Sequence, residues 1–311
     1  RMNREHQVYI IEGVTTLDYL DLYRTFTYTN QESYKLDHIV HVELGERKLS
    51  YEEYDNLAEF YKQDFQKFME YNVKDTELVQ RLESKMKLIE LAIALAYSAK
   101  VNLADVFSQV RTWDQIIYHY LHERKTVIPM KRHGHKDEKY AGAYVKDPIV
   151  GKHDWVVSLD LNSLYPHLIM QYNISPETKI DQRQDYAITP NSVLRGNERT
   201  FDAIKVHARK DYSVAANGTC YSKDRQGFLP ALMEKMYKER KMYKGKMIEC
   251  QKERQSILKS GALGGDVSKL LEEKDYEITK YYNFQQVRKI QLNSAYGAVG
   301  SEWFRYYDVT M

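Results

Sequence analysis

The sequence predicts an α+β protein: a β-containing body lies between two helical regions, and the second region is an antiparallel two-helix hairpin. Three observations carry this. Residues 56–100 are nearly free of helix breakers, and their apolar residues recur at about 3.6-residue spacing. Residues 125–157 are rich in β-branched and aromatic types, separated by polar, Gly- or Pro-bearing turns. After Gly227, two long helical patterns flank the Gly-rich turn "SGALGGD" (260–266).

Taken in order, residues 14–28 mix helix and strand signals. Residues 56–100 read as helices with a junction near Asn72. "KTVIP" (125–129), "YAGAYV" (140–145) and "DWVVSLDL" (154–161) read as strands, which sets Asp160 at the end of a buried strand. Residues 230–259 form a long helical pattern with Pro230 near its start. Residues 267–297 form a second one, ending at Gly297. A short connection between two such helices makes them antiparallel neighbours.

Composition excludes several classes. Of 311 residues, 43% are hydrophobic and 29% charged, an ordinary globular balance and not a disordered one. The net charge is only +2, so a nucleic-acid site has to come from local clustering. Two cysteines, Cys220 and Cys250, make neither a disulfide framework nor a metal spacing, which points to a reducing compartment. No apolar run approaches the roughly 20 residues of a membrane span, and the first residues do not read as a signal peptide. The 27 tyrosines serve packing, or stacking on sugars and bases.

Charge clusters on the hairpin. Across 231–260 there are nine Lys/Arg against four Asp/Glu. Arg240 and Lys244 lie at i and i+4 on one helix, and Lys289 and Asn293 repeat that spacing on the other. Such residues either form a solvated face or, opposed across the hairpin, make a pocket for a polyphosphate. Asp160 has two readings as well. A carboxylate at a rigid strand end suits Mg²⁺ and phosphoryl transfer, and the same residue can cap a turn.

The wider pattern favours the metal. "DLNSLYP" (160–166) resembles the first palm motif of family B DNA polymerases, D-x-x-S-L-Y-P. "KIQLNSAYG" (289–297) resembles their second, K-x-x-x-N-S-x-Y-G, in the family's order and with a basic helix between. "YNVKD" (71–75) is similar to the last motif of the family's 3′–5′ exonuclease. "TWD" (112–114), "YAGAYV", "NISPET" (173–178) and "YKERKMYKGKM" (237–247) look like replicative polymerases of T-even-type phages. The resemblance covers essentially the whole chain. It implies the C-terminal part of a ribonuclease-H-like exonuclease domain at 1–100, and a connecting segment with the start of a palm sheet at 101–227. It further implies a fingers hairpin at 228–299 and a return to the palm at 300–311.

The resemblance also implies roles. Asp160 and the Leu161 carbonyl would be metal ligands, with two Mg²⁺ in the complete site. Ser163 and Leu164 would hold the triphosphate, and Tyr165 would exclude a 2′-hydroxyl. Arg240, Lys244 and Lys289 would clamp phosphate, with Asn293 in support. Tyr140 and Gly142 would contact primer-template DNA, and Tyr296 and Gly297 would line the nascent base pair. Asp75, as a metal ligand, and Tyr71 would belong to the exonuclease. The expected partners are primer-template DNA, dNTP, a second chain with the remaining palm and thumb, and a sliding clamp on that part. The expected location is the cytoplasm of a phage-infected bacterium.

The sequence departs from the family in places. His167 stands where many relatives carry a small Ser, and the hairpin turn is shorter. The third polymerase motif, D-T-D-S, and the first two exonuclease motifs do not occur, so the isolated chain is expected to be inactive. Two other classes stay open: a catalytically silent nucleic-acid-binding module, and a metal-dependent nuclease using Asp75.

Overall fold

The structure, a computed structural model, describes residues 11–27, 29–131, 145–180, 187–208, 211–260, 265–308 and 310–311. The chain divides into two compact units, 1–97 with 102–107, and 98–101 with 108–311.

The first unit is helical among its described residues. Helix α1 (Tyr19–Phe26) starts where the Asp18 carboxylate accepts from the Leu20 amide at 2.8 Å. Helix α2 (Leu36–Leu44) ends at Gly45, whose φ of 74° suits glycine. Asn56 caps α3 (Leu57–Gln63), and Asp64 caps α4 (Phe65–Met86) through the Lys67 amide at 3.0 Å. The expected junction near Asn72 is absent. α4 passes through that residue unbroken, and the Asn72 side chain donates back to the Phe68 carbonyl at 2.9 Å. The real breaks are Asp64 and Lys87, and Lys87 adopts a left-handed conformation (φ 56°). Helix α5 (Leu88–Ala99) follows. An aromatic cluster forms around fully buried Phe60. Tyr54 stacks on it at 4.6 Å, and Phe68 and Tyr71 meet it edge-on at 5.5 and 5.9 Å. That cluster fixes where Tyr71 sits.

The second unit is built on a core shared by three helices: α6 (Gln109–Glu123), α10 (Phe228–Lys259) and α11 (Gly265–Val299). Trp113, Ile116, Ile117 and Leu121 of α6 pack with Leu229, Leu232, Met233 and Met236 of α10 and with Leu292, Ala295 and Ala298 of α11. The "TWD" residues lock this core. The Trp113 indole donates to Ser294 Oγ at 3.1 Å, and Asp114 accepts both arms of Arg305 at 2.8 and 3.0 Å. Between α6 and α10 come α7 (Leu164–Tyr172), α8 (Pro190–Leu194) and α9 (Glu198–Ala208). After α9 comes an antiparallel pair, β1 (Tyr212–Val214) with β2 (Cys220–Ser222).

The α+β class holds, but the expected strands do not. Residues 125–129 and 154–161 are irregular, and "YAGAYV" falls, apart from Val145, outside the described residues. Val127, Trp155 and Leu159 are 91%, 99% and 91% exposed, so Asp160 is not at the end of a buried strand. A strand needs a neighbour for its backbone and for its apolar face, and among the described residues these segments have none. The observed pair instead closes around "AANG": the Gly218 amide donates to the Ala215 carbonyl at 2.9 Å, and Gly218 has φ 86°. Asn217-Gly218 is a hairpin signal that strand propensity alone passes over.

α10 and α11 run antiparallel, as the two helical patterns predict. At about 1.5 Å per residue, 32 and 35 residues make rods of roughly 50 Å. α10 begins two residues before Pro230, and α11 continues two residues past Gly297. Away from the core the rods are joined by Tyr243 against Phe284 (5.2 Å), Arg254 with Asp275 (2.5 Å) and Lys274 with Glu253 (2.8 Å).

Candidate functional site

The site grows from α7, whose start is unusual. Ser163, its N-cap, is left-handed (φ 52°, ψ 48°) and makes no side-chain cap bond. The Ser163 carbonyl accepts from the His167 amide at 3.1 Å and from His167 Nδ1 at 2.9 Å, which fixes that ring nitrogen as the protonated one. The His167 ring then meets Tyr237 of α10 edge-on at 4.7 Å. His167 is therefore a brace between α7 and α10, a role that the sequence did not reveal.

Both motif-bearing segments converge here. Arg240 of α10 donates from Nη1 to Ser163 Oγ at 3.3 Å. Tyr165 of α7 stacks on Tyr296 of α11, with centroids 4.8 Å apart and planes 17° from parallel. The Lys289 ammonium is pushed below the usual lysine range, by burial first and by the Arg240 guanidinium second. Arg240 at the N-terminus of α7, with the Lys289 charge close enough to Arg240 to be felt, favours an anion there. Lys244 and Asn293 are exposed. Gly297 is exposed too, and a Cβ there would come within 3.2 Å of Gln109 Oε1. Leu164 is half-exposed, and Leu161 is 71% exposed. Asp160 is exposed and has no hydrogen bond or ion pair among the described residues. Tyr140 and Gly142 lie outside the described residues.

A separate cluster occupies the first unit. Tyr71 and Asp75 lie at i and i+4 on α4. Between them stands Lys48, with Nζ 2.6 Å from Asp75 Oδ2 and 2.7 Å from the Tyr71 hydroxyl. Burial lowers the Lys48 pKa, but the Asp75 carboxylate and the Tyr71 hydroxyl outweigh it, and the net shift is upward. Asp75 Oδ1 is buried without a hydrogen-bond partner among the described residues. Sequence reading missed Lys48, which lies 27 positions before Asp75 with no periodic link to it. No group of three or more His, Cys, Asp or Glu suited to a metal occurs among the described residues.

The model of DNA polymerase family B matches residues 106–261, half of the chain. The DNA-directed DNA polymerase of Escherichia phage RB69 is 34% identical over 99% of this chain, and that of Enterobacteria phage T4 is 31% identical over 97%. The chain belongs to DNA polymerase family B. It spans 36% of the length of each of these two relatives. Similarity extends to the DNA polymerase delta catalytic subunit of Schizosaccharomyces pombe, 26% identical over 96% of the chain and 24% of that protein. In this family B chain the family match contains Asp160, Ser163, Tyr165, Arg240 and Lys244. No helix among the described residues is long and apolar enough to cross a membrane.

Proposed function

We propose that this chain is the nucleotide-binding portion of a template-directed DNA polymerase, a fragment or split subunit. The complete enzyme adds dNTPs to a primer 3′ end by two-metal phosphoryl transfer. On this reading residues 1–100 are the end of an exonuclease domain, and 101–227 lead into the palm. Residues 228–299 are the fingers, and 300–311 return to the palm. The partners are primer-template DNA, dNTP, a second chain with the remaining palm and thumb, and a sliding clamp on that part. The setting is the cytoplasm of a phage-infected bacterium.

The observation that carries this reading is the convergence of Ser163, Tyr165, Arg240, Lys289 and Tyr296 from three helices onto one end of α7. The triphosphate is bound by the Arg240 fork, the Lys289 point charge and the amides of Leu164 and Tyr165. Lys244, one turn beyond Arg240, reaches the same phosphates, and Asn293 supports Lys289. The Tyr165 ring, backed by Tyr296, walls the sugar and leaves no volume for a 2′-oxygen. Tyr296 and Gly297 line the nascent base pair, and Tyr140 and Gly142 contact primer-template. Asp160 and the Leu161 carbonyl are hard oxygen donors of the type Mg²⁺ takes, and the acid has no ion pair among the described residues. Bound Mg²⁺ would supply nucleophile activation and charge neutralisation at the leaving pyrophosphate. One carboxylate and one carbonyl are too few for two such ions, so this chain alone is expected to bind nucleotide without polymerising. In the first unit, Asp75 and Tyr71 contribute to a 3′–5′ exonuclease site that one acid cannot complete.

Equilibrium dialysis of the chain against dATP with Mg²⁺ tests this. Saturable binding is expected, weakened on the order of tenfold by Arg240→Ala and again by Lys289→Ala, each a lost charge-assisted contact. No dATP binding, or binding indifferent to both substitutions, overturns it. Retained affinity for single-stranded DNA alone would then favour the silent nucleic-acid-binding module.

A further inference from the structure

The start of α10 lacks a cap of its own. Gly227, at the N-cap, has no side chain to accept from the first turn. The loop after α7 supplies the acceptors from more than fifty residues away. Asn173 Oδ1 accepts from the Gly227 amide at 2.9 Å, Glu177 Oε1 from the Phe228 amide at 2.5 Å, and Ser175 Oγ from the Leu229 amide at 3.4 Å. Asn173 also donates through Nδ2 to the carbonyls of Ser222 (2.7 Å) and Arg225 (2.8 Å). Ser175 donates to Glu177 Oε2 at 2.5 Å, and Thr178 Oγ1 donates to the Asn173 carbonyl at 2.6 Å. Asn173, Ser175 and Thr178 are 8%, 0% and 2% exposed, so the inner part of this network is shielded from water, while the Glu177 carboxylate lies at its exposed rim. Gly227 is required there for space: an added Cβ would lie 2.5 Å from Ser175 Cβ.

The same loop begins at Asn173, the left-handed C-cap of α7. α7 is thus joined to α10 at both of its ends. At one end is this cap, and at the other are the Arg240 contact to Ser163 and the His167 ring on Tyr237. We propose that Asn173, Ser175 and Glu177 are positioning residues for nucleotide binding: the polar cap they form is the fixed pivot that sets the angle at which α10 presents Arg240 and Lys244 to a triphosphate. The Glu177 carboxylate suits the task twice, as an acceptor and as a negative charge on the positive end of the helix dipole. This rests on the nucleotide reading of the site above.

The test places spin labels on exposed Gln171 of α7 and Lys252 of α10 and measures their distance distribution in the whole chain; both native cysteines are buried. The same proteins are titrated with dATP and Mg²⁺. Glu177→Ala is expected to broaden the distribution and to weaken dATP binding several-fold. Glu177→Gln keeps an acceptor and is expected to restore both. Circular dichroism checks folding. If Glu177→Ala does not fold, Asn173→Asp replaces it: it keeps the acceptor for Gly227 but turns a carboxylate towards two carbonyls. An unchanged distribution in the folded cap variant overturns the pivot, and so does a broadened one with unchanged dATP affinity. If the wild type binds no dATP, the nucleotide reading fails and takes the positioning role with it, whatever the distances show.

Discussion

Lys289 carries the sharpest consequence at the scale of single residues. Burial and Arg240 hold its pKa below the usual 10.5, so the ammonium gives up its proton early when no anion faces it. A bound triphosphate favours the ammonium and pulls the value back up. dATP affinity should therefore be full below the free-site pKa and fall as pH rises through it, by at most about one decade per pH unit. Lys289→Met should be weaker throughout and should flatten that limb, as titrations across the alkaline range will read. Tyr165 makes a second prediction. With its ring stacked on Tyr296, truncation to Ala opens the sugar wall, and the preference for dATP over ATP in binding should collapse while dATP affinity falls less. An unchanged ratio would leave Tyr165 as a packing residue. Lys48 makes the third. Lys48→Met strands the partly buried Asp75, and the chain should lose about 1–2 kcal/mol at neutral pH in urea melts. Because the folded Lys48 pKa is raised, its contribution is complete below 10.5 and is lost only as pH climbs through the folded value.

Among elements, the cap of α10 is the most exposed to a small change. Gly227→Ala forces a Cβ to 2.5 Å from Ser175 Cβ, both in backbone-anchored positions that cannot swing away. It should cost about 1–3 kcal/mol by overpacking, seen as a lower denaturation midpoint. A melt indistinguishable from wild type would mean the loop is loose. The elements also divide by how far they were legible. The hairpin helices could be read because 3.6-residue periodicity, a Gly-rich turn and charge patterning are local properties. The convergence of Arg240, Lys289 and Tyr296 near Ser163 was legible only through the two motifs, since no spacing relates α7 to α10 and α11. The strands at 125–129 and 154–161 were misread because β character is a promise that a neighbour must keep. The α4 junction was misread because Asn72 looks like a breaker until its amide is seen satisfied within the helix. Lys48 acts through partners distant in sequence and carried no signal; His167 stood out as a departure from the family, but its contact with Tyr237 of α10 was not legible locally.

For the whole molecule, organisation into two compact units with an irregular stretch at 145–161 in the second sets how it meets a protease. Lys146 and Lys152 are exposed and lie outside any helix or strand, whereas Lys235 sits within α10. Trypsin should cut at Lys146 or Lys152 long before Lys235, as timed digestion with mass spectrometry will show. That stretch has a further consequence. Trp155, Val156, Val157, Leu159 and Leu161 are 71–99% exposed, in a backbone that pairs with nothing among the described residues. Such a run is an adhesive: its amides and its apolar faces are both available to any neighbour, including another copy of itself. With a net charge of only +2 to oppose association, residues 155–161 are expected to weigh on the chain's colloidal behaviour. Its solubility limit should rise when one outward Val there is exchanged for Lys.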